Sequence, residues 1–401
     1  MTVLGTDLRT FVADRLLARN PESHRFFDRE ADRLAGACEE MSARFMRGGR
    51  LLAFGRGASA TDAQHVSVEF VHPVIVGKRA LAALDLSAAF DRSLAAVVRD
   101  VDMVMGFAPP EGDNNVAAAI ATARACGAQT FALPGGAEAP NAAFRHHFAI
   151  EAPSSDPFIC QEIVEILYHT LWETVHVFLE HSERGHDDVG ASTFLYPFLG
   201  GAAQDTSAIV GQVAASIRAK AADDERLRTE MARDHAEMIA TATDAVLRRI
   251  EAGATLLMFG NGGSATDAND WALDCLGAPA GIRALSLSME PANITAIAND
   301  IGREAIFLRQ LIAHGRRGDV AIAISTSGGS ANVIAALEEA RKRGMLTVAL
   351  LGYDGGEIAR RGLADLPIVV RCDYIPRIQE VQASIYHVMT EAWQTWIGQP
   401  L

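Results

Sequence analysis

The chain has 401 residues, 49% of them hydrophobic and 21% charged, and a formal net charge of −14. Two domains are expected at this length, and the negative charge argues against nucleic acid or an anionic membrane as the main partner. Five scattered cysteines without CxxC spacing, no signal-peptide pattern and no apolar run of about 18 residues lead us to expect a soluble, cytoplasmic protein with no membrane contact.

The first half alternates between two hydrophobic patterns. Apolar residues at helical spacing predict two helices over residues 7–48, one over 116–126 and one over about 159–181. Short apolar runs predict strands at 51–54, 81–86, 101–107 and 130–133. Strands that alternate with helices in this way predict a parallel sheet covered on both faces.

The segment 182–206 breaks this alternation with Gly, Pro and polar residues, as linkers do. We therefore predict a first domain at 1–185, a linker at 186–206 and a second domain at 207–401. The second domain repeats the plan, with helices at about 207–250, 331–343 and 376–396, a loop at 295–300, and strands at 283–288, 320–324 and 346–351.

A glycine-rich turn occurs twice, at residues 54–63 and 259–268, and both copies contain SATDA. Each turn follows a predicted strand and precedes a predicted helix, so its free backbone N–H groups and the helix dipole favour an anion. Ser59 and Ser264 occupy the same place in the two copies. Because the motif recurs in register with later residues, the chain is a two-fold tandem repeat and not a solenoid of short units.

The second half has a hydroxyl-rich loop, residues 325–330 (STSGGS), after the strand at 320–324. Hydroxyl and N–H groups set between glycines at a helix N-terminus donate to a phosphate dianion with little steric hindrance; a turn that only caps the helix is the alternative. The first half has APPEGD (108–113) instead, whose two prolines lack N–H donors and whose acids repel phosphate.

These motifs resemble the sugar isomerase (SIS) domain, and specifically phosphoheptose isomerase, in GNGGS, TAIAND, ISTSGGSANV, the DGG at 354–356 and the segment from Arg377 to His387. The resemblance implies an α/β fold of two tandem SIS domains, each a three-layer α/β/α sandwich with a mainly parallel, flavodoxin-like sheet. It also implies an aldose–ketose isomerase acting on sedoheptulose 7-phosphate or a similar ketose phosphate. A homodimer of this chain would mimic the family's four-domain tetramer.

The resemblance also implies the roles of individual residues. The family's metal set, which suits a divalent ion such as Zn²⁺, corresponds here to His65, Glu69, Gln161 and His169. The expected catalytic residues are Glu69, His169 and His387. The residues expected to bind the substrate and its phosphate are Asn261, Gly262, Ser264, Ser325, Thr326, Ser327, Ser330 and Gln379.

The two halves depart from the family in complementary ways. The second half has Asp270 and Asp274 where the first has His65 and Glu69, while the first half lacks the hydroxyl-rich loop. This complementarity predicts a composite site that draws on both halves. Whether Asp270, Asp274 and His387 form a second metal site stays open at this point.

A non-catalytic module that binds a sugar phosphate or a protein, as in the initiator-associating relatives, is the alternative function. Those relatives resemble the family in the glycine turn but do not keep its full His, Glu, Gln and His set. Because the first half of this chain keeps that set, the sequence favours an enzyme.

Overall fold

The computed structural model describes residues 4–73, 78–135, 145–183, 206–278 and 281–397. The chain forms two compact units. We call Pro21–Asp223 the N-terminal unit and Met1–Asn20 together with Asp224–Leu401 the C-terminal unit. Most of the predicted linker, residues 186–205, lies outside the described residues.

The elements of the N-terminal unit alternate as the sequence predicts. In chain order they are α2 (Asn20–Met46), β1 (Leu51–Phe54), α3 (Ser59–Val71), β2 (Ala83–Asp85), α4 (Phe90–Val97), β3 (Met103–Phe107), α5 (Asn114–Ala125), β4 (Gln129–Leu133), β5 (His147–Ala149), α6 (Pro157–Glu183) and the first part of α7 (Thr206–Glu230). The short strand β5 was not predicted.

The C-terminal unit repeats this order with extra helices. It contains α1 (Leu4–Ala18), the end of α7, α8 (Ala236–Glu251), β6 (Leu256–Phe259), α9 (Gly263–Gly277), β7 (Ala284–Ser286), α10 (Pro291–Asp300), α11 (Ile306–His314), β8 (Val320–Ser325), α12 (Ala331–Lys342), β9 (Leu346–Gly352), α13 (Gly356–Arg360), β10 (Leu366–Val370) and α14 (Ile375–Trp396). A π-helical turn, Met231–His235, interrupts the predicted helix 207–250.

Each unit has a five-stranded parallel sheet. The order is β2-β1-β3-β4-β5 in the N-terminal unit and β7-β6-β8-β9-β10 in the C-terminal unit. By position in each unit, both orders are 2-1-3-4-5, the flavodoxin-like arrangement. The predicted α/β fold with two parallel, flavodoxin-like sheets is therefore confirmed.

The residues of the central strands divide between two layers of helices. In β6, Leu256 and Met258 pack in one hydrophobic cluster and Leu257 and Phe259 in another. Successive side chains of a strand point to opposite faces, so these clusters lie on the two faces of the sheet. All four residues are fully buried, which explains why the strand is a continuous apolar run.

An aspartate fixes the start of the central strands in both units. Asp102 accepts a hydrogen bond from the backbone N–H of Arg50 at 3.0 Å, just before β1. Asp319 accepts the same bond from Thr255 at 2.9 Å, just before β6. The two aspartates are 217 positions apart, the spacing of the repeat in this region, so the duplication is visible in the hydrogen bonds as well as in the motifs.

The division into units differs from the predicted ranges 1–185 and 207–401 at both edges. Leu8, Val12 and Leu16 of α1 are buried in the hydrophobic cluster of the C-terminal unit. Residues 206–223 belong to the N-terminal unit, where Val213 and Ile217 join the main cluster. A boundary drawn from the repeat alone misses such exchanges, because an amphipathic helix does not specify which core covers its apolar face.

Residues 295–300 are not a loop, as predicted, but the end of helix α10. Pro291 stands at the start of this helix, where its fixed φ and missing N–H are compatible with a helix. None of the helices among the described residues is long and apolar enough to cross a bilayer.

Candidate active site

The glycine turns have the same backbone geometry in both units. A Cβ atom on Gly260 would lie 2.3 Å from the carbonyl oxygen of Ser264, and Gly262 has a φ of +58°. In the N-terminal unit, a Cβ atom on Gly55 would lie 2.2 Å from the carbonyl oxygen of Ser59, and Gly57 has a φ of +58°. Both turns therefore require glycine at these positions, because other residues clash or are strained there.

Three of the four predicted metal ligands meet inside the N-terminal unit. His65 and Glu69 lie one turn apart on α3, and His169 projects from α6; their exposed fractions are 2%, 1% and 0%. His65 Nε2 lies 3.3 Å from His169 Nε2 and 3.9 Å from Glu69 Oε1. One ligand atom of each residue lies within 4.8 Å of the others.

This arrangement fits a divalent cation. Ligand nitrogens about 2.0–2.1 Å from a tetrahedral Zn²⁺ are separated from one another by about 3.3–3.4 Å. The distance between the two imidazole nitrogens matches this separation, and two imidazoles with one carboxylate form a donor set common in zinc sites. The residues present are therefore compatible with the predicted metal.

Gln161, the fourth predicted ligand, is half-buried near the start of α6. Its Nε2 donates to Asp62 Oδ2 at 3.3 Å. Sequence reasoning did not single out Asp62, although the repeated SATDA motif contained it. Tyr168 was also missed: its ring centroid lies 5.3 Å from that of His65 and 5.1 Å from that of His169, so an aromatic side chain forms one wall of the cluster.

The loop of the N-terminal unit that lacks the hydroxyl residues caps its own helix. Asp113 accepts hydrogen bonds from the backbone N–H groups of Asn115 at 2.7 Å and Val116 at 3.0 Å. A carboxylate at this position satisfies the first N–H groups of α5 and interacts favourably with the helix dipole. The N-terminus of α5 therefore already has its own anion.

In the C-terminal unit, the two predicted phosphate-binding turns follow neighbouring strands. Ser264 lies in the first turn of α9 after β6, and Ser325 ends β8. These strands are paired, and the strand order reverses between them. In open parallel sheets, ligands bind outside the carboxyl ends of the strands at this reversal.

The hydroxyl-rich loop is held by close backbone contacts with the DGG segment. A Cβ atom on Gly328, whose φ is +59°, would lie 2.1 Å from the carbonyl oxygen of Gly355. A Cβ atom on Gly356 would lie 2.2 Å from the carbonyl oxygen of Ser327. Ser325 Oγ also accepts a hydrogen bond from Gly328 N–H at 3.2 Å. The loop conformation is thus fixed by contacts that only glycine allows.

A pair of asparagines connects the two turns. Asn261 Nδ2 donates to Asn332 Oδ1 at 3.0 Å, and Asn332 Nδ2 donates to Asn261 Oδ1 at 2.8 Å. Asn332 was not among the predicted residues, although the SANV motif contained it. Ser330 is the N-cap residue of α12, and its side chain makes no cap hydrogen bond.

The predicted phosphate-binding residues differ in exposure. Ser264 and Ser325 are mostly buried, whereas Thr326 and Ser330 are half-buried and Asn261, Gly262 and Ser327 are exposed. Gln379 and His387 are buried on α14, where His387 lies against Asp270 and Asp274 of α9.

Comparisons with known proteins agree with this architecture. A family model described as SIS domain matches residues 221–352. Among solved structures, a putative tagatose-6-phosphate ketose/aldose isomerase from Clostridium novyi NT is similar with a TM-score of 0.55 and 10% identity, over 95% of this chain and 88% of that one. The C-terminal domain of glucosamine-fructose-6-phosphate aminotransferase from Francisella tularensis is similar with a TM-score of 0.56 and 10% identity, over 97% of each chain. At these identities the likeness concerns the fold alone.

Sequence relatives are more specific. The phosphoheptose isomerase of Citrifermentans bemidjiense is 43% identical over 157 residues, which are 38% of this chain and 81% of the relative. The phosphoheptose isomerase of Helicobacter pylori strain P12 is 40% identical over 159 residues, 39% of this chain and 82% of the relative. Both matches are at least 40% identical and cover more than 80% of the relative. The chain therefore belongs to the phosphoheptose isomerase family of sugar-phosphate isomerases.

Proposed function

We propose that this protein interconverts an aldose phosphate and a ketose phosphate, with sedoheptulose 7-phosphate as the first substrate to test. The observation that carries the proposal is the buried cluster of His65, Glu69 and His169, in a chain whose relatives are phosphoheptose isomerases. A carboxylate and imidazoles held together in a buried site are suited to proton transfer.

The isomerisation requires one proton to move between two neighbouring carbons of the sugar. In the proposed mechanism, the Glu69 carboxylate removes the proton from one carbon, a cis-enediol forms, and the same carboxyl group returns the proton to the other carbon. As the alternative to a metal in this cluster, His169 acts as the general acid towards the sugar oxygen. His387 stays a further candidate for acid–base chemistry.

The metal proposal assigns a divalent cation, with Zn²⁺ as the first candidate, to His65, Glu69, Gln161 and His169. When bound there, it supplies Lewis acidity that polarises the sugar carbonyl. The separation of the imidazole nitrogens supports this assignment. Glu69 then serves as both ligand and base, and its two carboxylate oxygens allow the two tasks to be divided.

Phosphate binding is assigned to the C-terminal unit. The N-terminus of α12 and the glycine turn provide backbone N–H groups that favour a dianion even in a protein with a net negative charge. The side chains proposed to act with them are those of Asn261, Ser264, Ser325, Thr326, Ser327, Ser330 and Gln379, together with the backbone of Gly262.

We further propose that the two units contribute different functions, acid–base chemistry from one and phosphate binding from the other, and that the protein acts as a homodimer. The complementary losses support this division: Asp113 caps α5 where the C-terminal unit has Ser330, and Asp270 and Asp274 replace His65 and Glu69. Mixing the Glu69→Gln protein with the Ser327→Ala protein tests the homodimer. Recovered turnover requires that one chain supplies the acid–base chemistry and another chain supplies the phosphate binding.

The decisive experiment measures deuterium uptake from D₂O into sedoheptulose 7-phosphate. We expect uptake with the wild type and a loss of about 10²–10⁴-fold in Glu69→Gln, with a weaker substrate affinity in Ser327→Ala. Glu237→Gln, which changes an exposed carboxylate on α8, is the matched control. Undiminished uptake in Glu69→Gln refutes the proposed base, and binding without uptake by the wild type favours a sugar-phosphate-binding module.

A further inference from the structure

One residue of the C-terminal unit has a strained backbone at the edge of the sheet where the proposed phosphate-binding turns lie. Tyr353 follows strand β9 directly and has a φ of +51°. All other residues with a positive φ in the part of the chain that the structure describes are glycines. A bulky side chain crowds the backbone in this region, so the conformation persists only where surrounding contacts enforce it. Strained residues of this kind cluster at binding and active sites.

The turn that contains Tyr353 favours glycine at this position. The N–H group of Gly355 donates to the carbonyl oxygen of Gly352 at 2.8 Å, which closes a four-residue turn with Tyr353 as its second residue. Turns with a positive φ at the second residue are dominated by Gly, Asn and Asp. In the sequence, the residue 217 positions earlier, at the spacing of the repeat, is Gly136. The half that lacks the hydroxyl-rich loop therefore has glycine here, and the half that keeps the loop has tyrosine.

The contacts that enforce this turn come from two elements that carry proposed substrate-binding residues. The N–H group of Gly352 donates to the carbonyl oxygen of Thr326 in the hydroxyl-rich loop at 3.0 Å. A Cβ atom on Gly352 would lie 2.6 Å from that same oxygen and 2.6 Å from Ile378 Cδ1 on α14. Ile378 precedes Gln379 in the chain. The backbone next to Tyr353 is thus held between the hydroxyl-rich loop and the start of α14.

The Tyr353 side chain lies on the face of the sheet that α14 covers. It packs, half-buried, against the hydrophobic cluster that includes residues of α9 and α14, whereas α12, whose N–H groups are assigned to the phosphate, joins the cluster of the opposite face. Burial raises the pKa of Tyr353, and Asp373 and Cys372, just before α14, add to this effect. Within the described residues, the Tyr353 hydroxyl group has no hydrogen-bond partner.

We propose that Tyr353 is a specificity-determining residue, whose phenol hydroxyl group hydrogen-bonds to a hydroxyl group of the sugar while the neighbouring turns hold the phosphate. The inference rests on the proposed function, since it assigns the sugar phosphate to this unit. A site built to hydrogen-bond a substrate hydroxyl group discriminates against ligands that lack it. Tyr353 therefore favours a sugar phosphate over inorganic phosphate, which explains why a strained tyrosine stands where glycine is the unstrained choice.

The test is calorimetric titration of wild type and Tyr353→Phe with sedoheptulose 7-phosphate and with inorganic phosphate. We expect Tyr353→Phe to bind the sugar phosphate about 3–10-fold more weakly and inorganic phosphate as the wild type does. Unchanged affinity for the sugar phosphate overturns the proposal, and so does an equal loss for both ligands, because that loss places the hydroxyl group at the phosphate. The assay needs no turnover, so binding by the wild type without deuterium uptake contradicts the isomerase alone.

A second variant separates a binding role from a packing role. Tyr353→Gly removes the half-buried ring but also the strain, so we expect its melting temperature not to fall below that of the wild type, while its affinity for the sugar phosphate falls at least as far as in Tyr353→Phe. Tyr374→Gly, at a half-buried tyrosine with an ordinary φ of −123°, is the matched control, and we expect its melting temperature to fall. Equal falls in the two glycine variants overturn the proposal, because the Tyr353 ring then serves the packing of the core.

Discussion

Asp113 and Ser330 occupy the same place in the two units, but only the side chain of Asp113 accepts hydrogen bonds from its own helix. The carboxylate of Asp113 accepts from two N–H groups of α5, whereas the Ser330 side chain makes no cap hydrogen bond on α12. A helix N-terminus attracts one anion well. In the N-terminal unit this anion is the Asp113 carboxylate, and in the C-terminal unit we propose that it is the phosphate group of the substrate.

Replacing Ser330 with aspartate is therefore expected to close the phosphate site. The new carboxylate bonds to α12 as Asp113 does to α5 and repels a phosphate dianion, so we expect substrate affinity to fall at least about tenfold. Calorimetric titration with the sugar phosphate measures the effect. The neutral variant Ser330→Asn is the control, and an equal loss in both variants argues against the electrostatic explanation.

Asp113 itself is expected to contribute to stability and not to substrate binding. Asp113→Ala removes the cap of α5 and lowers the free energy of unfolding by about 1 kcal/mol. Urea denaturation measures this change, and calorimetric titration checks that the sugar-phosphate affinity is unchanged. A weaker substrate affinity with unchanged stability contradicts this assignment.

The bond between Asn261 and Asn332 is expected to position the glycine turn against the hydroxyl-rich loop. Asn332→Ala removes both hydrogen bonds to Asn261, and we predict that KM rises about 3–10-fold while kcat changes little. Asn115→Ala, at the corresponding position of the N-terminal unit, is the matched control in steady-state assays. A fall in kcat with KM unchanged contradicts a role in phosphate binding.

Gly328→Ala tests the contact between the hydroxyl-rich loop and the DGG segment. Its positive φ and the 2.1 Å approach to the Gly355 oxygen lead us to expect a loss of about 2 kcal/mol or more in the free energy of unfolding, with weaker phosphate binding. Gly211→Ala is the control: its Cβ meets nothing within 4 Å, and in helix α7 it stabilises by about 0.5–1 kcal/mol. Equal stabilities of the two variants refute the steric argument.

Asp102 makes the stability of the protein depend on acid pH. Burial alone raises its pKa, but hydrogen bonds from the Arg50 and Arg99 side chains and backbones outweigh that effect and lower the pKa to about 2. In the unfolded chain an aspartate titrates near 3.9. The stabilisation is therefore fully present above about pH 5 and is lost as the pH falls towards 2.

Urea denaturation of wild type and Asp102→Asn at several pH values measures this contribution. We expect a difference in free energy of unfolding at pH 6 that narrows between pH 5 and pH 2, whereas Asp14→Asn, on an exposed side chain, shows no such narrowing. If the difference in free energy of unfolding between wild type and Asp102→Asn stays constant from pH 5 to pH 2, the stabilisation does not come from the charge of Asp102.

The repeat, the parallel sheets and the local site geometry could be predicted from the sequence because they depend on local patterns. A buried strand such as Leu256–Phe259 is a continuous apolar run, and the i, i+4 spacing of His65 and Glu69 places both on one face of a helix. The prediction of a loop at 295–300 was wrong because it passed over Pro291, whose fixed φ and missing N–H are favoured in the first turn of a helix.

The sequence by itself determined the duplication, the fold class and the residue types available for proton transfer, metal binding and phosphate binding. Only the tertiary structure decided that α1 joins the core of the C-terminal unit, that Asn261 pairs with Asn332, and that Tyr386 orients Asp270. The physical reason is distance along the chain: propensity and periodicity act over a few residues, whereas these contacts join side chains 71 or more positions apart. Their partners are selected by packing, which a local pattern does not encode.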